Sequence, residues 1–459
     1  MPHGKGVVLG IDLGTSSFKA VAIEADGTVA SISRVSTPFV AHVGGVDMSY
    51  SDLESAVEQL VGGIDVEPGQ VRAIGVAGMG ESGAVLDSTP KVVTPIAAWY
   101  DTRGGPYAEE LRGRFAGARW EVLGRPLRAQ SSIALLAYWV ASKVRTVKWL
   151  GVVELCAWML TGEMFSEPSL AARTSAYDIT RDAYEHELLQ AIGAPPDVFP
   201  ETRAAGTSPA HTSTEFAARL GVRRGTPVTI AGHDHLVGAY GAGADVVDLV
   251  DSVGTSELLL RYTGTTPDLG AVLAARAEVA RAPGDRLWAV TLCPGHPGVV
   301  LANLRRLVGD PPLARLEQLA MRSSVADREV QRVRLRALGL LTDSPGPSGS
   351  VEVGTSGPGA IWAAALEELA ECGQNGALSL DRVVGPAERV LVIGGGSGSS
   401  YWMAQKEHLA ERPMRVSGID EPVATGAALI AGGLAGFWDP WTFAAASNRH
   451  SKCPEGETS

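Results

Sequence analysis

Two stretches of the sequence, about half a chain apart, constrain the fold more than any other feature. The first places apolar, β-prone residues on both sides of a polar turn and reads Leu9-Gly10-Ile11-Asp12-Leu13-Gly14-Thr15-Ser16-Ser17-Phe18-Lys19-Ala20. The second repeats this pattern and reads Leu249-Val250-Asp251-Ser252-Val253-Gly254-Thr255-Ser256-Glu257-Leu258-Leu259-Leu260. Gly14 and Gly254 are 254 − 14 = 240 residues apart in a chain of 459. This spacing predicts two related domains and not a short-period array.

The turns of both stretches are suited to bind phosphate. Glycine lets a ligand approach the backbone closely, and the N–H and hydroxyl groups of residues 14–17 can form a concave anion site. Asp12 stands beside the first turn, where a carboxylate next to a phosphate is consistent with Mg²⁺ between them. Ser252 occupies the corresponding place in the second stretch, so only the first offers a carboxylate there. The alternative is an ordinary hairpin with an aspartate near its turn.

Composition excludes several classes of protein. Hydrophobic residues make up 45% and charged residues 20%, which is typical of a globular protein, and the formal net charge of −12 argues against nucleic acid or an anionic membrane as a partner. The four cysteines form no CxxC pair, so neither a zinc site nor a disulfide framework is predicted. No apolar run is long enough to span a membrane, and no signal-peptide core precedes the first strand. We therefore expect a cytoplasmic location.

Two loops in the first half carry side chains suited to bind a polyol. The strand predicted at 71–77 ends in the glycine-rich loop Gly78-Met79-Gly80-Glu81-Ser82-Gly83, where the Glu81 carboxylate can accept hydrogen bonds from hydroxyl groups. The segment Trp99-Tyr100-Asp101-Thr102-Arg103 offers an aromatic face, an acceptor and a forked donor. The alternatives are a solvated carboxylate at Glu81 and an ion pair within the second loop, which would contribute little at a surface.

A third motif lies close to the second hairpin. A strand predicted at 227–231 leads into Gly232-His233-Asp234-His235, and a helix rich in glycine and alanine follows at 236–242. Asp234 is therefore expected at a strand-to-helix switch near the domain boundary, in the cleft between the domains. A metal site formed by the two histidines is not favoured, because adjacent residues of a strand point to opposite faces.

The remaining regions are predicted from shorter patterns. The segment 107–160 is predicted to be mostly helical, 344–350 is predicted to be a loop, and 360–369 a helix. A strand at 389–393 is followed by Gly394-Gly395-Gly396-Ser397, which is not GxGxxG and is better suited to hold a flat adenine base against bare backbone. A helix at 422–436 is expected to pack closely against this loop, and the tail 446–459 is expected to be disordered.

Taken together, these motifs resemble the FGGY carbohydrate kinases of the actin-like ATPase superfamily, in particular the xylulose and glycerol kinases. The matching pieces follow the order of the family and are Gly10-Ile11-Asp12-Leu13-Gly14-Thr15-Ser16, Trp99-Tyr100-Asp101-Thr102-Arg103, Leu160-Thr161-Gly162-Glu163, Gly232-His233-Asp234, Gly254-Thr255-Ser256 and Gly394-Gly395-Gly396-Ser397. The resemblance implies an α/β fold with two ribonuclease-H-like domains around a deep cleft. We expect a sugar-binding domain at 1–243 and a nucleotide-binding domain at 244–445.

The resemblance also implies ATP and Mg²⁺ as cofactors and a small sugar or polyol as the partner, with a pentulose such as xylulose favoured as the phosphate acceptor. Asp234 would be the general base and Asp12 would hold Mg²⁺. The residues expected to contact ATP are Gly14, Thr15, Ser16, Ser17, Lys19, Gly254, Thr255, Gly395, Gly396 and Ser397. The residues expected to bind the sugar are Glu81, Trp99, Asp101 and Arg103.

The chain departs from the family pattern in several places. Gly80-Glu81-Ser82-Gly83 stands where xylulose kinases usually have Gln-Met-His-Gly; Glu81 is closer to the glycerol kinases, whose neighbouring Arg is Gly80 here. Glu167 stands where the family often has Asp, and the family's Gly-Glu-Arg-x-Pro loop is not visible between 266 and 358. Two alternatives therefore stay open, a degenerate sugar-binding regulator and an actin-like ATPase without sugar kinase activity. A homodimer is a further open alternative.

Overall fold

The computed structural model describes residues 6–115, 119–284, 286–341 and 357–441. The loop expected at 344–350 and the tail expected at 446–459 lie outside these ranges. Within the described ranges, no helix combines the length and the apolar character needed to cross a bilayer.

The strands, numbered along the chain, are β1 (Val7–Leu13), β2 (Ser17–Glu24), β3 (Val29–Ser36), β4 (Val40–His42), β5 (Gly45–Met48), β6 (Val71–Gly78), β7 (Gly83–Leu86), β8 (Ile96–Ala97), β9 (Lys148–Gly151), β10 (Tyr177–Asp178), β11 (Ala183–Tyr184), β12 (Ala210–His211), β13 (Pro227–His233), β14 (Asp248–Val253), β15 (Glu257–Thr263), β16 (Glu278–Arg281), β17 (Trp288–Gly295), β18 (Arg389–Ile393) and β19 (Met414–Val416).

The α-helices are α1 (Tyr50–Gly62), α2 (Gly105–Arg114), α3 (Arg119–Val122), α4 (Ser132–Ala141), α5 (Val152–Thr161), α6 (Pro168–Arg173), α7 (His186–Ala191), α8 (Glu215–Arg219), α9 (Asp234–Gly241), α10 (Leu269–Ala274), α11 (Pro297–Leu307), α12 (Leu313–Met321), α13 (Val325–Ala337), α14 (Gly357–Val384), α15 (Ser400–Leu409) and α16 (Pro422–Leu434). A short 3₁₀ helix, Gly395–Gly398, follows β18.

Two sheets built on the same plan form the centre of the molecule. Six described strands form the first sheet, in the order β12-β13-β6-β1-β2-β3, and six form the second, in the order β16-β17-β15-β14-β18-β19. In each sheet a hairpin, β1–β2 or β14–β15, has a parallel strand, β6 or β18, on the other side of its first strand. Both predicted hairpins are confirmed. All 7 residues of β1 are buried, as expected for a central strand covered on both faces.

Two helices fill the space between the sheets. The apolar residues of α9 pack against the second sheet, and those of α16 pack against β1, β2 and β6 of the first. The helices touch through glycines, because a Cβ at Gly241 would lie 2.0 Å from the Pro422 carbonyl oxygen and one at Gly426 would lie 2.2 Å from the Val237 carbonyl oxygen. The helix predicted at 422–436 therefore exists, but its expected packing against the loop after β18 is wrong.

Two other predictions are confirmed and gain detail: the segment 107–160 is mostly helical, through α2, α3, α4 and α5, and a helix covers 360–369. The segment 107–160 contains the strand β9, which pairs with β7 in a smaller sheet of order β4-β5-β8-β7-β9. A short apolar run such as 148–151 cannot be assigned to helix or strand from its period alone. The helix predicted at 360–369 belongs to the 28-residue α14. Gly373 and Gly376 lie inside this helix, and its backbone passes close to β15 and β17 at these residues.

Candidate active site

A cavity of about 750 Å³ lies between the two hairpins and is lined by both turns. Gly14, Thr15 and Ser16 line it from the first sheet, and residues 254–256 line it from the second. The carboxyl ends of β6, β13 and β18 contribute as well, through Met79, His233 and Ile393. The structure thus brings together the turns that the sequence places 240 residues apart, at the edge where α/β sheets commonly bind ligands.

Asp12 and Lys19 are cross-strand partners beside the first turn. The Lys19 Nζ lies 3.1 Å from Asp12 Oδ2, and the Asp12 side chain is almost completely buried. Burial raises the pKa of Asp12 to about 7, although Lys19 opposes the rise; the nearby Asp234 carboxylate contributes to it. The other oxygen, Oδ1, is buried and accepts no hydrogen bond from the described residues. A buried carboxylate oxygen without a donor fits a cation such as Mg²⁺.

Asp234 is the first residue of α9, where β13 ends. Its Oδ1 accepts a hydrogen bond from the His235 N–H at 2.7 Å and lies 3.3 Å from His233 Nε2. Oδ2 has no hydrogen-bond partner among the described residues. Burial would raise the pKa of this carboxyl, but the two neighbouring imidazoles and the His235 N–H lower it below its ordinary value. Asp234 is therefore a carboxylate at neutral pH, with one oxygen available to a ligand in the cavity.

A buried hydrogen-bond chain holds the backbone before Asp234. The Glu167 carboxylate accepts hydrogen bonds from the N–H and the hydroxyl of Ser169, and the Ser169 Oγ accepts the His233 N–H at 2.9 Å. Glu167 also caps the N-terminus of α6. Glu167, the departure from the family pattern, is thus connected to the segment that carries Asp234.

The residues predicted to bind the sugar separate into two groups. Glu81 and Trp99 line the cavity, and the Trp99 indole N–H donates to Thr15 Oγ1 at 2.8 Å. Asp101 and Arg103 are not among the residues that line the cavity. Asp101 Oδ2 accepts the Val46 N–H at 2.8 Å, and Arg103 binds Asp101 and Asp47. These contacts fasten the 99–103 loop to β5, which matches the alternative of an ion pair within this region.

The residues predicted to bind ATP also separate. Lys19, Gly395 and Ser397 line the cavity with both hairpin turns. Ser17 instead pairs with Ser36 in the first sheet and is not among the lining residues. Gly396 faces protein, because a Cβ there would lie 2.5 Å from the Val253 Cγ1 atom. The structure therefore places these two residues outside the cavity.

Sequence reasoning missed a group of charges in the lining of the cavity, which we call the arginine–glutamate cluster. It consists of Glu81, Arg125, Arg128, Arg173 and Glu278, all of which line the cavity. Only Glu81 lies in a recognisable motif. The others come from α6, β16 and the segment after α3, so no local pattern indicates that they meet.

A buried ion cluster beneath the second hairpin was missed as well. The Lys406 Nζ on α15 lies 2.7 Å from Asp251 Oδ2 on β14 and 2.5 Å from Glu257 Oε1 on β15. This triad lies behind the turn, away from the cavity lining. Among the described residues, no three His, Cys, Asp or Glu side chains come together as a metal site. A Mg²⁺ ion held largely by nucleotide phosphates needs only one or two protein carboxylates.

Two matching sheets around a cleft, with a phosphate-type turn from each, are the architecture of the actin-like ATPase fold. The chain belongs to the FGGY family of carbohydrate kinases, whose N-terminal domain matches residues 7–241. The resemblance seen in the sequence, the carbohydrate kinase class and ATP as the phosphate donor are thereby confirmed.

Known relatives extend the match over most of the chain. L-fuculokinase of Escherichia coli K12 is 26% identical over 454 residues, covering 92% of this chain and 91% of its own. Apulose kinase of Pectobacterium atrosepticum is 26% identical, covering 94% and 90%. The crystal structure of gluconate kinase from Lactobacillus acidophilus has a TM-score of 0.79 at 18% identity, covering 95% and 91%. The two-domain actin-like fold is confirmed, while the division at residue 243 stays a prediction.

Proposed function

We propose that this kinase transfers the γ-phosphoryl group of ATP to a hydroxyl group of a small sugar or polyol, with Asp234 as the general base. One observation carries the proposal: the two carboxylates Asp12 and Asp234 line the same cavity as both hairpin turns. This arrangement supports a phosphate chain near Asp12 and an acceptor hydroxyl near Asp234.

In the proposed reaction, the acceptor oxygen attacks the γ-phosphorus, the bond from that phosphorus to the bridging oxygen of ADP breaks, and the hydroxyl proton passes to Asp234 Oδ2. Catalysis in phosphoryl transfer consists mainly of positioning and of neutralising charge. The N–H groups of the two turns and the Lys19 ammonium supply positive potential at the phosphates. Mg²⁺ bound near Asp12 would neutralise further charge on the transferring group.

The acceptor is proposed to be a pentulose such as xylulose. Glu81 supports a hydroxyl-rich acceptor, since its Oε2 has no hydrogen-bond partner among the described residues and it lines the cavity. Trp99, also in the lining, can cover an apolar face of the acceptor. The relatives are named for L-fuculose, apulose and gluconate. A panel of L-fuculose, apulose, D-xylulose, gluconate and glycerol with Mg-ATP, followed by ADP release, tests this proposal. We expect the largest kcat/KM with D-xylulose, and a larger value for L-fuculose, gluconate or glycerol would contradict the pentulose assignment.

Replacement of the base tests the mechanism. We expect Asp234→Asn to lower kcat by about 10²–10⁴-fold with little change in the ATP KM, because only proton transfer is lost. Asp197→Asn, at an exposed carboxylate far from the cavity lining, is the matched control and should keep normal turnover. Near-normal kcat in Asp234→Asn would overturn the base assignment. ADP release at equal rates with and without every acceptor would instead favour an ATPase.

A further inference from the structure

The arginine–glutamate cluster joins the sugar-binding loop to the second sheet. Arg173 Nη2 lies 2.5 Å from Glu81 Oε1, and its Nη1 lies 2.7 Å from Glu278 Oε2. Arg125 follows the same path, at 3.0 Å from Glu81 Oε1 and 3.6 Å from Glu278 Oε2. Two guanidinium groups thus bridge the same pair of carboxylates. Glu81 belongs to the loop after β6, and Glu278 is the first residue of β16, so the bridge connects the two sheets.

Gly80 makes room for this arrangement. A Cβ at position 80 would lie 2.4 Å from Arg173 Cγ and 2.8 Å from Arg173 Cβ, so a side chain there would displace Arg173. Arg125 is held in place as well, because its Nη1 donates to the Arg173 carbonyl oxygen at 3.1 Å. The position of each arginine therefore depends on the other and on the missing side chain at 80.

Burial makes the charges of the cluster dependent on each other. The side chains of Arg125 and Glu81 are 3% and 5% exposed. Burial would raise the pKa of Glu81, but Arg173 and Arg125 outweigh it and hold the pKa below its ordinary value. Glu81 is therefore an ionised carboxylate that accepts hydrogen bonds. Both guanidinium groups bind its Oε1, which leaves Oε2 for hydroxyl groups of a ligand.

Glu278 balances the arginines from the opposite side of the cleft. Arg128 Nη1 also binds it, at 2.7 Å, so three guanidinium groups face the two carboxylates of the cluster. Without the charge of Glu278, Arg128 would lose this carboxylate, and Arg125 and Arg173 would face Glu81 alone and repel each other. The backbone beside Glu278 is fixed to the first half as well, because the Val279 N–H donates to the Gly124 carbonyl oxygen at 2.7 Å.

From this geometry we propose that Glu278, on a strand of the nucleotide-binding half, is a positioning residue of the sugar site. It holds Arg173 and Arg125 against Glu81 and thereby orients the Glu81 carboxylate toward the hydroxyl groups of the acceptor. The inference rests on the proposed function, because it takes the cavity beside Glu81 as the acceptor site. It means that the acceptor site is complete only when both halves of the molecule are in contact.

Steady-state kinetics of Glu278→Gln test the inference, with the best acceptor of the panel above. We expect the KM for the sugar acceptor to rise about tenfold, because the ionised Glu81 carboxylate loses its fixed orientation. The ATP KM should stay within about twofold and kcat within about threefold, because the turns and Asp234 are untouched. Gly80→Ala, which displaces Arg173 from the other side, should raise the acceptor KM in the same way. Arg173→Lys, which keeps the charge but loses the bridge, should have an intermediate effect.

Glu371→Gln is the matched control. Glu371 binds Arg332 and Arg336 outside the cavity, so this variant removes a carboxylate charge between two arginines and should leave both KM values unchanged. An acceptor KM within about twofold of the wild type in Glu278→Gln and Gly80→Ala would overturn the inference while the proposed function stands. Equal increases in both KM values would also overturn it, by indicating a general structural role. A wild-type protein that phosphorylates no acceptor would overturn the proposed function, and the inference with it.

Discussion

The two hairpins share a sequence pattern but use their charges differently. In the first, Asp12 and Lys19 are cross-strand partners that line the cavity. In the second, the corresponding partners are Ser252 and Leu258, so these two positions of the second hairpin give the cavity no such ion pair. Two charged residues of the second hairpin, Asp251 and Glu257, bind Lys406 on α15 behind the turn.

The turns differ in length by one residue. Gly14–Ser17 separates the paired residues Leu13 and Phe18, whereas the three residues 254–256 separate Val253 and Glu257. The offset of 240 before the turn therefore becomes 258 − 19 = 239 after it, which brings Leu258 into the register of Lys19. Because neighbouring residues of a strand face opposite sides, Asp251 and Ser252 point away from each other. The first hairpin thus offers charge to a ligand, and the second uses charge to fasten its strands to α15.

The largest difference between the hairpins should appear in stability. We expect Lys406→Met to lower the free energy of unfolding by about 3–5 kcal/mol, because it leaves two buried carboxylates without their cation. Lys148→Met, which breaks an exposed pair with Asp197, is the control and should cost at most about 1 kcal/mol. Urea unfolding of both variants measures the difference. Equal losses would contradict the anchoring role of Lys406.

The decrease in the free energy of unfolding caused by Lys406→Met should depend on pH. Burial and the neighbouring Asp251 raise the pKa of Glu257 from 4.5 to about 7, although Lys406 lowers it. Between these two values the folded state holds a proton that the unfolded state releases, so the free energy of unfolding falls as the pH rises. Without Lys406, the ionised form of Glu257 is even less favourable in the folded state. Lys406→Met should therefore be more destabilising at about pH 8 than at about pH 6, and a loss of the same size at both pH values would contradict this account.

The next effect concerns activity. We expect Asp12→Asn to lower kcat/KM about 100-fold, because it removes the carboxylate proposed to hold Mg²⁺ near the phosphates. Ser252→Ala, at the same place in the second hairpin, should change kcat/KM less than about threefold. The Ser252 hydroxyl is uncharged, and any hydrogen bond that it makes to a ligand only replaces one that it makes to water. Titration of activity with MgCl₂ should show weaker binding of Mg²⁺ for Asp12→Asn alone, as a higher MgCl₂ concentration at half-maximal activity. Similar losses in both variants would show that the hairpins act alike.

The smallest effect concerns the threonines of the turns. Thr15→Ala leaves the Trp99 indole N–H without its acceptor and should lower the free energy of unfolding by about 1 kcal/mol. Thr255→Ala removes no such contact within the described residues and should be within about 0.5 kcal/mol of the wild type. Thermal unfolding of the two variants without nucleotide makes the comparison. A larger decrease in the free energy of unfolding for Thr255→Ala would show that the threonine of the second turn contributes more to stability.

Local features of the fold were predictable because they depend on near neighbours. The two hairpins, the strand before Asp234 and the glycine loop after β18 follow from apolar runs interrupted by glycine and polar residues. The cavity could also be anticipated, because both turns and the end of β13 follow strands of the two sheets. The packing of α16 could not, because its small residues fit several surfaces equally well.

The sequence by itself determined the two hairpins, the family and the position of Asp234 at the end of a strand. Only the tertiary structure decided which charged side chains meet in the cavity. Arg173 lies 92 residues from Glu81 and 105 from Glu278, and nothing in either neighbourhood indicates the contact. Conversely, Asp101 and Arg103, two residues apart in a promising motif, bind each other, and Arg103 also binds Asp47. The reason is physical: the two strands of a hairpin are neighbours in sequence and pair across a short turn, whereas the partner of a charged side chain depends on which elements pack around it.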